Sequence, residues 1–358
     1  MQIGLVGRPY TGKTTLFNLL TGSAYETGLS GKREVLTGNA AVPDKRIEYL
    51  ARLYKPQKTV YAQIQFKDIP GVHSGDGAGA ANKLLEEVRG ADALVQVVRA
   101  FQEDMVGVVT ETADPSKELA DFASDLVLAD MVAVENRLKR IENTKKPSKD
   151  ALTQAGLLKS ILTALENEQR LSELKFSEAE KSLIADQNFL TEKPLVVVVN
   201  IDEKQLSSNN YPGRDKLLNF ASNHQIPVIE VCARIEMEIN QLPKTERDEF
   251  LKDLGLTESG INHLAHTAYN LLGLISFFTV GQDEVRAWTI RKGTKTRRAA
   301  GKVHSDIERG FIRAEVFHFE DIKHLGSVST VKEKGLFRLE GKEYIVKDGD
   351  IISFRFNV

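Results

Sequence analysis

Near the start of the chain, Gly7-Arg8-Pro9-Tyr10-Thr11-Gly12-Lys13-Thr14 has the residue types and spacing that hold a phosphate chain, G-x-x-x-x-G-K-[ST]. Glycines let the backbone wrap phosphate oxygens without a Cβ clash, and successive N–H groups turn inward as an anion nest. The run follows an apolar stretch that reads as a strand, Gln2 to Val6, and opens a helix expected over Thr15 to Leu20. The N-terminus of that helix adds partial positive charge. Lys13 is placed to reach the β- and γ-phosphates, and the Thr14 hydroxyl to ligate Mg²⁺. Gly7 through Thr15 is therefore the candidate nucleotide-contacting segment, with Lys13 also the first candidate for catalysis.

A second acidic element, Asp68-Ile69-Pro70-Gly71, comes directly after a strand expected to end at Lys67. D-x-x-G in this place is the switch element of GTPase-type sites: Asp68 would hold Mg²⁺ through water, and the Gly71 N–H would sense the γ-phosphate. Ras-like enzymes follow that glycine with Gln, which orients the attacking water. Here the residue is Val72, whose isopropyl group cannot hydrogen-bond water. His73 is either a replacement for it or an exposed loop histidine. The glycine-rich run Gly75 to Gly79 reads as a movable switch segment.

A third element bears on the base. G-domain GTPases carry N-K-x-D after a late β-branched strand, and the aspartate accepts hydrogen bonds from guanine. After Leu195 to Val199 this chain reads Asn200-Ile201-Asp202-Glu203. Replacing lysine by Ile201 and aspartate by Glu203 weakens guanine selection, because a lost polar match costs orders of magnitude. Asn200 would bond near the base, with Ile201 packed against it. The alternative is that Asp202 or Glu203 restores guanine binding from a shifted position. Cys232-Ala233 falls where the corresponding G-domain loop gives backbone contacts to the base. The substrate expectation is ATP, or GTP, with Mg²⁺.

These elements need an α/β frame. Strands are expected at Gln2–Val6, Ala62–Lys67, Ala93–Arg99, Leu195–Val199 and Ile226–Val231, alternating with helical stretches. Asp114-Pro115 resembles a helix start. Leu119, Phe122, Leu126, Val134, Leu138 and Ile141 then recur at spacings of three and four. Asn143 to Ser148, with Pro147, breaks the pattern, which resumes at Leu158, Ile161 and Leu165 and again near Leu183. This predicts an inserted antiparallel helical hairpin. From about Ser276 short β-rich runs appear, Val285–Ile290, Phe311–Phe319 and Ile351–Phe356, separated by glycine and charged turns. The expected organisation is a discontinuous nucleotide-binding domain over 1–112 and 192–275, a helical hairpin over 113–191, and a small β-rich domain over 276–358.

At 358 residues, with 41% hydrophobic and 27% charged content, the chain is ordinary for a globular protein of two or three domains. One cysteine excludes an internal disulfide framework and suits a reducing compartment. No basic-then-apolar leader precedes the first strand, and no uncharged apolar run approaches the length of a membrane span. The expectation is a cytoplasmic protein without a membrane partner.

In order and content, the phosphate loop, the D-I-x-G element with its hydrophobic follower, the helical insertion and N-x-x-E resemble the YchF family of Obg-related P-loop ATPases and GTPases. The C-terminal strings carry the likeness furthest: Glu284-Val285-Arg286-Ala287-Trp288-Thr289, Ala299-Ala300-Gly301-Lys302, Ile307 to Ala314 and Tyr344 to Asp350. These resemble that family's TGS domain, a ubiquitin-like β-grasp module. The resemblance spans the whole chain. It implies an α/β fold: a P-loop G-domain-type sheet with an inserted α-helical, coiled-coil hairpin and a C-terminal β-grasp TGS domain. It further implies ATP hydrolysis in preference to GTP and association with the ribosome or its large subunit.

Three departures mark a divergent member. Tyr10 stands where the family has an asparagine linked in related GTPases to potassium. The family's P-F-x-T-I-x-P-N switch string is missing around Gly31 to Gly38, where Thr37 aligns with another position. A family histidine proposed as catalytic falls at about Val108, counting from Val97-Val98-Arg99-Ala100-Phe101.

Arg291, Lys292, Lys295, Arg297, Arg298 and Lys302 crowd the start of the C-terminal region of a chain whose formal net charge is −2. This local surplus is either an rRNA contact or a solvated loop. Three functional readings follow: a ribosome-associated ATPase acting as a nucleotide-dependent switch in translation or stress regulation; a nucleotide-gated binding switch with little intrinsic hydrolysis; and a GTP-specific GTPase.

Overall fold

The computed structural model describes residues 1–26, 34–71, 78–102 and 113–357. They form two compact units, 1–38 with 65–264 and 39–64 with 265–358.

The first unit is built on a sheet whose strand order is β2-β4-β1-β5-β6-β7. The strands are β1 (Gln2–Val6), β2 (Leu36–Val42), β4 (Ala62–Asp68), β5 (Ala93–Arg99), β6 (Leu195–Asn200) and β7 (Val228–Val231). From β4 through β7 every neighbouring pair is parallel. That explains the composition of β5 and β6, since parallel strands covered on both faces read as continuous apolar runs. All six residues of β6 are buried, as are six of the seven in β5. The crossing from one half of the sheet to the other occurs at β1 and β5, so the ends of these strands open a crevice where α/β sheets bind ligands.

The helical hairpin forms as the periodicity predicts. Asp114 caps a helix over Pro115–Glu142 by accepting the Lys117 N–H at 3.0 Å, and Pro115 supplies the first turn. After the break at Pro147, Ser148 caps a second helix over Lys149–Glu166. Val134, Leu138 and Ile141 pack with Leu158, Ile161 and Leu165 into a core of their own. Arg137 crosses between the helices to Gln154 Oε1 at 2.8 Å. The first helix is also tied down by a fully buried carboxylate. Asp130 accepts the N–H groups of Leu190 and Thr191 at 2.9 and 2.8 Å and the Thr191 hydroxyl at 2.8 Å.

The second unit contains a mixed sheet in the order β11-β10-β12-β8-β9-β3. These are β3 (Lys58–Val60), β8 (Leu274–Val280), β9 (Glu284–Arg291), β10 (Phe311–His318), β11 (Arg338–Glu340) and β12 (Asp350–Phe356). The hairpin β8·β9 and the pair β10·β12 are antiparallel, and β12·β8 is parallel, as in a β-grasp arrangement. The sequence boundary at 276 is corrected here, because it cuts through β8, whose Leu274 and Ile275 are buried. Residues 39–64, expected within the nucleotide-binding domain, group with the second unit; β3 joins this sheet, while β2 and β4 at the two ends of the segment pair in the first sheet. Strand β3 pairs in parallel with β9, and Arg46 joins Asp44 to Asp348 with ion pairs of 2.8 and 2.6 Å. Sequence patterning misses β2, whose Gly38, Asn39 and two alanines have little strand propensity, and β3, which has three residues.

Among the described residues no helix is long and apolar enough to cross a membrane. Asp130→Ala should lower the stability of the first unit by about 3 kcal/mol or more, since it strands two buried amides. Asp130→Asn, which keeps one acceptor, should cost less. Urea denaturation measures both, and equal midpoints for wild type and Asp130→Ala would contradict this account.

Candidate phosphate-binding site

The loop after β1 has the shape its residues dictate. Gly7 has φ 144°, and a Cβ there would lie 2.2 Å from the Val97 carbonyl oxygen of β5. Gly12 has φ 91° and leads into the helix Lys13–Thr21, and its Cβ would meet Asn200 Nδ2 at 2.3 Å. Tyr10, between them, holds φ 64° despite its bulk. Such a non-glycine residue costs about 1–3 kcal/mol and persists where surrounding structure over-determines it. The helix anchors through Leu16, Phe17 and Leu20, which are buried one turn apart, while Thr15 lies half-buried beside them.

Lys13 is 7% exposed and donates to the carbonyls of Gly7 at 2.8 Å and Arg8 at 2.7 Å. Burial pushes its ammonium down to about 8, against the opposing pull of Asp68 and Glu118. Two carbonyls do not repay desolvation of a cation in full, so the site is electrostatically prepared for an anion. Thr11 Oγ1 donates to Arg8 O at 3.0 Å and tightens the same turn. Arg8 is exposed and pairs with Asp121 at 2.7 Å, and Pro9 is half-buried.

Thr14 Oγ1 donates to Asp68 Oδ2 at 2.6 Å. Asp68 ends β4 opposite Leu5 of β1, which places its carboxylate across from the start of the helix. Its other oxygen, Oδ1, is buried with no hydrogen-bond partner among the described residues. Desolvation raises the Asp68 carboxyl, with Thr14 and Lys13 opposing. A hydroxyl and a half-satisfied carboxylate, side by side, are hard oxygen donors of the kind Mg²⁺ takes, directly or through water. Gly71 lies against the phosphate loop, where a Cβ would sit 2.5 Å from Gly7 O and 2.9 Å from Pro9 N. Val72, His73 and Val108 lie outside the described residues.

The base-loop residues are held by contacts of their own. Asn200, expected beside the base, is 4% exposed; its amide donates to Thr11 O at 3.0 Å and accepts from the Ala233 N–H at 3.2 Å. A buried carboxamide must satisfy donors and acceptor together, and this one does so by tying the phosphate loop to the ends of β6 and β7. Ile201, expected against the base, is 4% exposed within the core cluster, because its N–H continues the ladder to Val231 O and turns the side chain inward. Asp202 caps the helix Glu203–Ser208, accepting from Gln205 N at 2.8 Å. Glu203 is exposed and pairs with Arg234 at 3.3 Å. Cys232 is buried ahead of the helix Ala233–Gln241, and burial raises its thiol.

Sequence reading passed over Glu118 and Asp121, which reach the loop from the first turns of the long helix. Asp114-Pro115 marked that helix start, but no local pattern shows that it lies against Arg8.

Residues 2–137 match a family model described as 50S ribosome-binding GTPase, and residues 274–357 match YchF-GTPase_C, described as a protein of unknown function. The chain is similar to "Ribosome-binding ATPase YchF" of Bacillus subtilis (strain 168), with 41% identity over 367 residues and 100% of both chains covered. The Escherichia coli O157:H7 protein of the same name is 39% identical over 362 residues, covering 100% of this chain and 99% of its own. Among solved structures, the Schizosaccharomyces pombe YchF GTPase superposes with a TM-score of 0.88 at 29% identity, covering 99% of this chain and 97% of that one. With a phosphate loop at the sheet crossover, an inserted helical hairpin, a C-terminal β-grasp sheet and full-length likeness of this degree, the chain belongs to the YchF family.

Proposed function

We propose that this chain is a magnesium-dependent nucleoside triphosphatase that prefers ATP to GTP and uses its nucleotide cycle to alter its hold on the ribosome. The observation that carries the catalytic part is the buried ammonium of Lys13 in a glycine loop, with Thr14 and Asp68 joined beside it. Lys13 is set to neutralise the β- and γ-phosphates, and the loop's N–H groups orient them. Thr14 and Asp68 would hold Mg²⁺, which when bound neutralises charge across the phosphates. Gly71, packed on the loop backbone, would report the γ-phosphate through its N–H.

The preference for ATP is supported by what the base loop has already committed. Guanine selection needs a free carboxylate aimed at N1–H and the 2-amino group. The Asp202 carboxylate is held as a helix cap, Glu203 points to Arg234, and Ile201 is in the core. An adenine makes no demand for that carboxylate. Backbone groups around Cys232 and Ala233 remain the candidate base contacts.

Ribosome binding is supported by the likeness to relatives named ribosome-binding ATPases and by the family model over residues 2–137. We place the rRNA contact on the basic segment Arg291 to Lys302. Its charge is partly offset, because Lys295 pairs with Glu343 at 2.5 Å and Arg298 with Glu308 at 3.2 Å. Exposed pairs of this kind contribute little and exchange readily for phosphate. The second reading, a switch with little intrinsic turnover, is favoured by Val72 at the position that orients water in Ras-like enzymes.

Lys13→Ala should reduce kcat by about 10²- to 10³-fold in a phosphate-release assay, the cost of removing one charge-stabilising group; turnover at the wild-type rate would sink the phosphate-loop assignment. In competition between fluorescent ATP and GTP analogues with Mg²⁺, ATP should bind several-fold tighter, whereas a clear GTP advantage would make the chain a GTPase. Arg297→Ala with Arg298→Ala should weaken ribosome co-sedimentation, and the difference should shrink as salt rises; unchanged sedimentation at low salt would remove this segment as the contact.

A further inference from the structure

Glu118 lies in the first turn of the helix Pro115–Glu142, 9% exposed, and its Oε2 is buried with no hydrogen-bond partner among the described residues. Its position is fixed from β5: the Arg99 backbone N–H donates to the carboxyl, and Gln96 Nε2 donates to the Glu118 carbonyl at 2.9 Å. The charges that face it are Arg8 and Lys13 of the phosphate loop and Arg99 at the end of β5. On its own helix, Asp121 pairs with Arg8 at 2.7 Å, and Asp125 follows one turn further on. Glu118 is thus a second acid within electrostatic reach of the cations that a triphosphate would claim. Neither the phosphate-loop motif nor the D-x-x-G element includes it.

Resting on the nucleotide-binding reading above, we propose that Glu118 is a positioning residue of the phosphate site: it shares the positive charge of Lys13 and Arg8 when the loop is free, and any fraction still ionised takes up a solvent proton when a nucleoside triphosphate binds. The physical reason is competition for the same positive charge. A buried carboxylate and a polyphosphate cannot both stay ionised beside Lys13 without the repulsion raising the free energy of the complex. Protonation adds one hydrogen to Oε2, the oxygen without a donor, and leaves Oε1 on the Arg99 N–H. Burial already pushes the Glu118 carboxyl up to about 7, with Arg8, Arg99 and Lys13 opposing, so the proton is available near neutral pH.

The linkage has a definite sign. Binding raises the Glu118 value above its free value, so affinity is flat below about pH 7 and falls above it, by up to about tenfold per pH unit. The test is calorimetric titration of the full-length protein with Mg²⁺ and whichever of AMPPNP and GMPPNP binds tighter. Near pH 7.5 it is run in two buffers of different ionisation enthalpy and then repeated across pH. Wild type should take up about 0.5–0.8 more protons per nucleotide than Glu118→Gln, which keeps the shape and removes the charge. Glu118→Gln should also lose the decline in affinity above neutral pH. Equal proton uptake and equal pH slopes in the two proteins would overturn the proposal and leave Lys13 as the source. If Glu118→Gln does not fold, as judged by circular dichroism and melting, wild-type affinity that stays flat from about pH 6.5 to 8.5 overturns it alone. The absence of any binding heat with either analogue would instead remove the nucleotide-binding reading, and this inference with it.

Discussion

A single buried ammonium organises the first unit. Lys13 is taken out of water where, among the described residues, two loop carbonyls bond it, and the chain surrounds it with negative partners drawn from three separate elements. Asp68 arrives at the end of β4, Glu118 from the first turn of the long helix, and the carbonyls of Gly7 and Arg8 from the loop itself. A buried charge of this kind tolerates little displacement of its neighbours. The order of strands around β1 and the entry of the helix at Pro115 are therefore bound to the geometry of one side chain.

The neighbouring base loop shows how polar groups become unavailable for recognition. Asn200 satisfies its amide by bridging Thr11 O and the Ala233 N–H, which fixes the phosphate loop against the ends of two strands. Gly12 is required partly because Asn200 Nδ2 stands where its Cβ would be. Asp202 is used in the same way, as a helix cap whose partner Gln205 donates onward to the Ala100 carbonyl at 2.8 Å. The side-chain amide of Asn200 and the carboxylate of Asp202 are both engaged in bracing the ends of the strands around the phosphate loop.

The second unit follows a different logic. Its sheet is completed by β3, three residues drawn from far earlier in the sequence, and by the Arg46 network that joins Asp44 to Asp348. The Ser276 N–H donates to that same Asp348 at 2.8 Å, so one carboxylate orders both the inserted segment and the start of β8. Such long-range ion pairs leave no periodic trace, which is why β3 and the Arg46 segment read as part of the nucleotide-binding domain until the strands are paired.

By itself the sequence determined the phosphate loop, the strands β1, β4, β5 and β6, the helical hairpin with its break at Pro147, and the β-rich end. Each of these rests on local chemistry: glycines where φ is positive, period-3.6 apolar spacing, β-branched runs, and proline that cannot continue a helix. Tertiary structure alone decided that Asn200 braces the phosphate loop, that Ile201 lies in the core, that β3 joins the C-terminal sheet, and that Glu118 and Asp121 lie near the phosphate loop. Those outcomes depend on which distant atoms fill a side chain's hydrogen-bonding and charge requirements. A residue's type sets the requirement, and only the packed chain sets the partner.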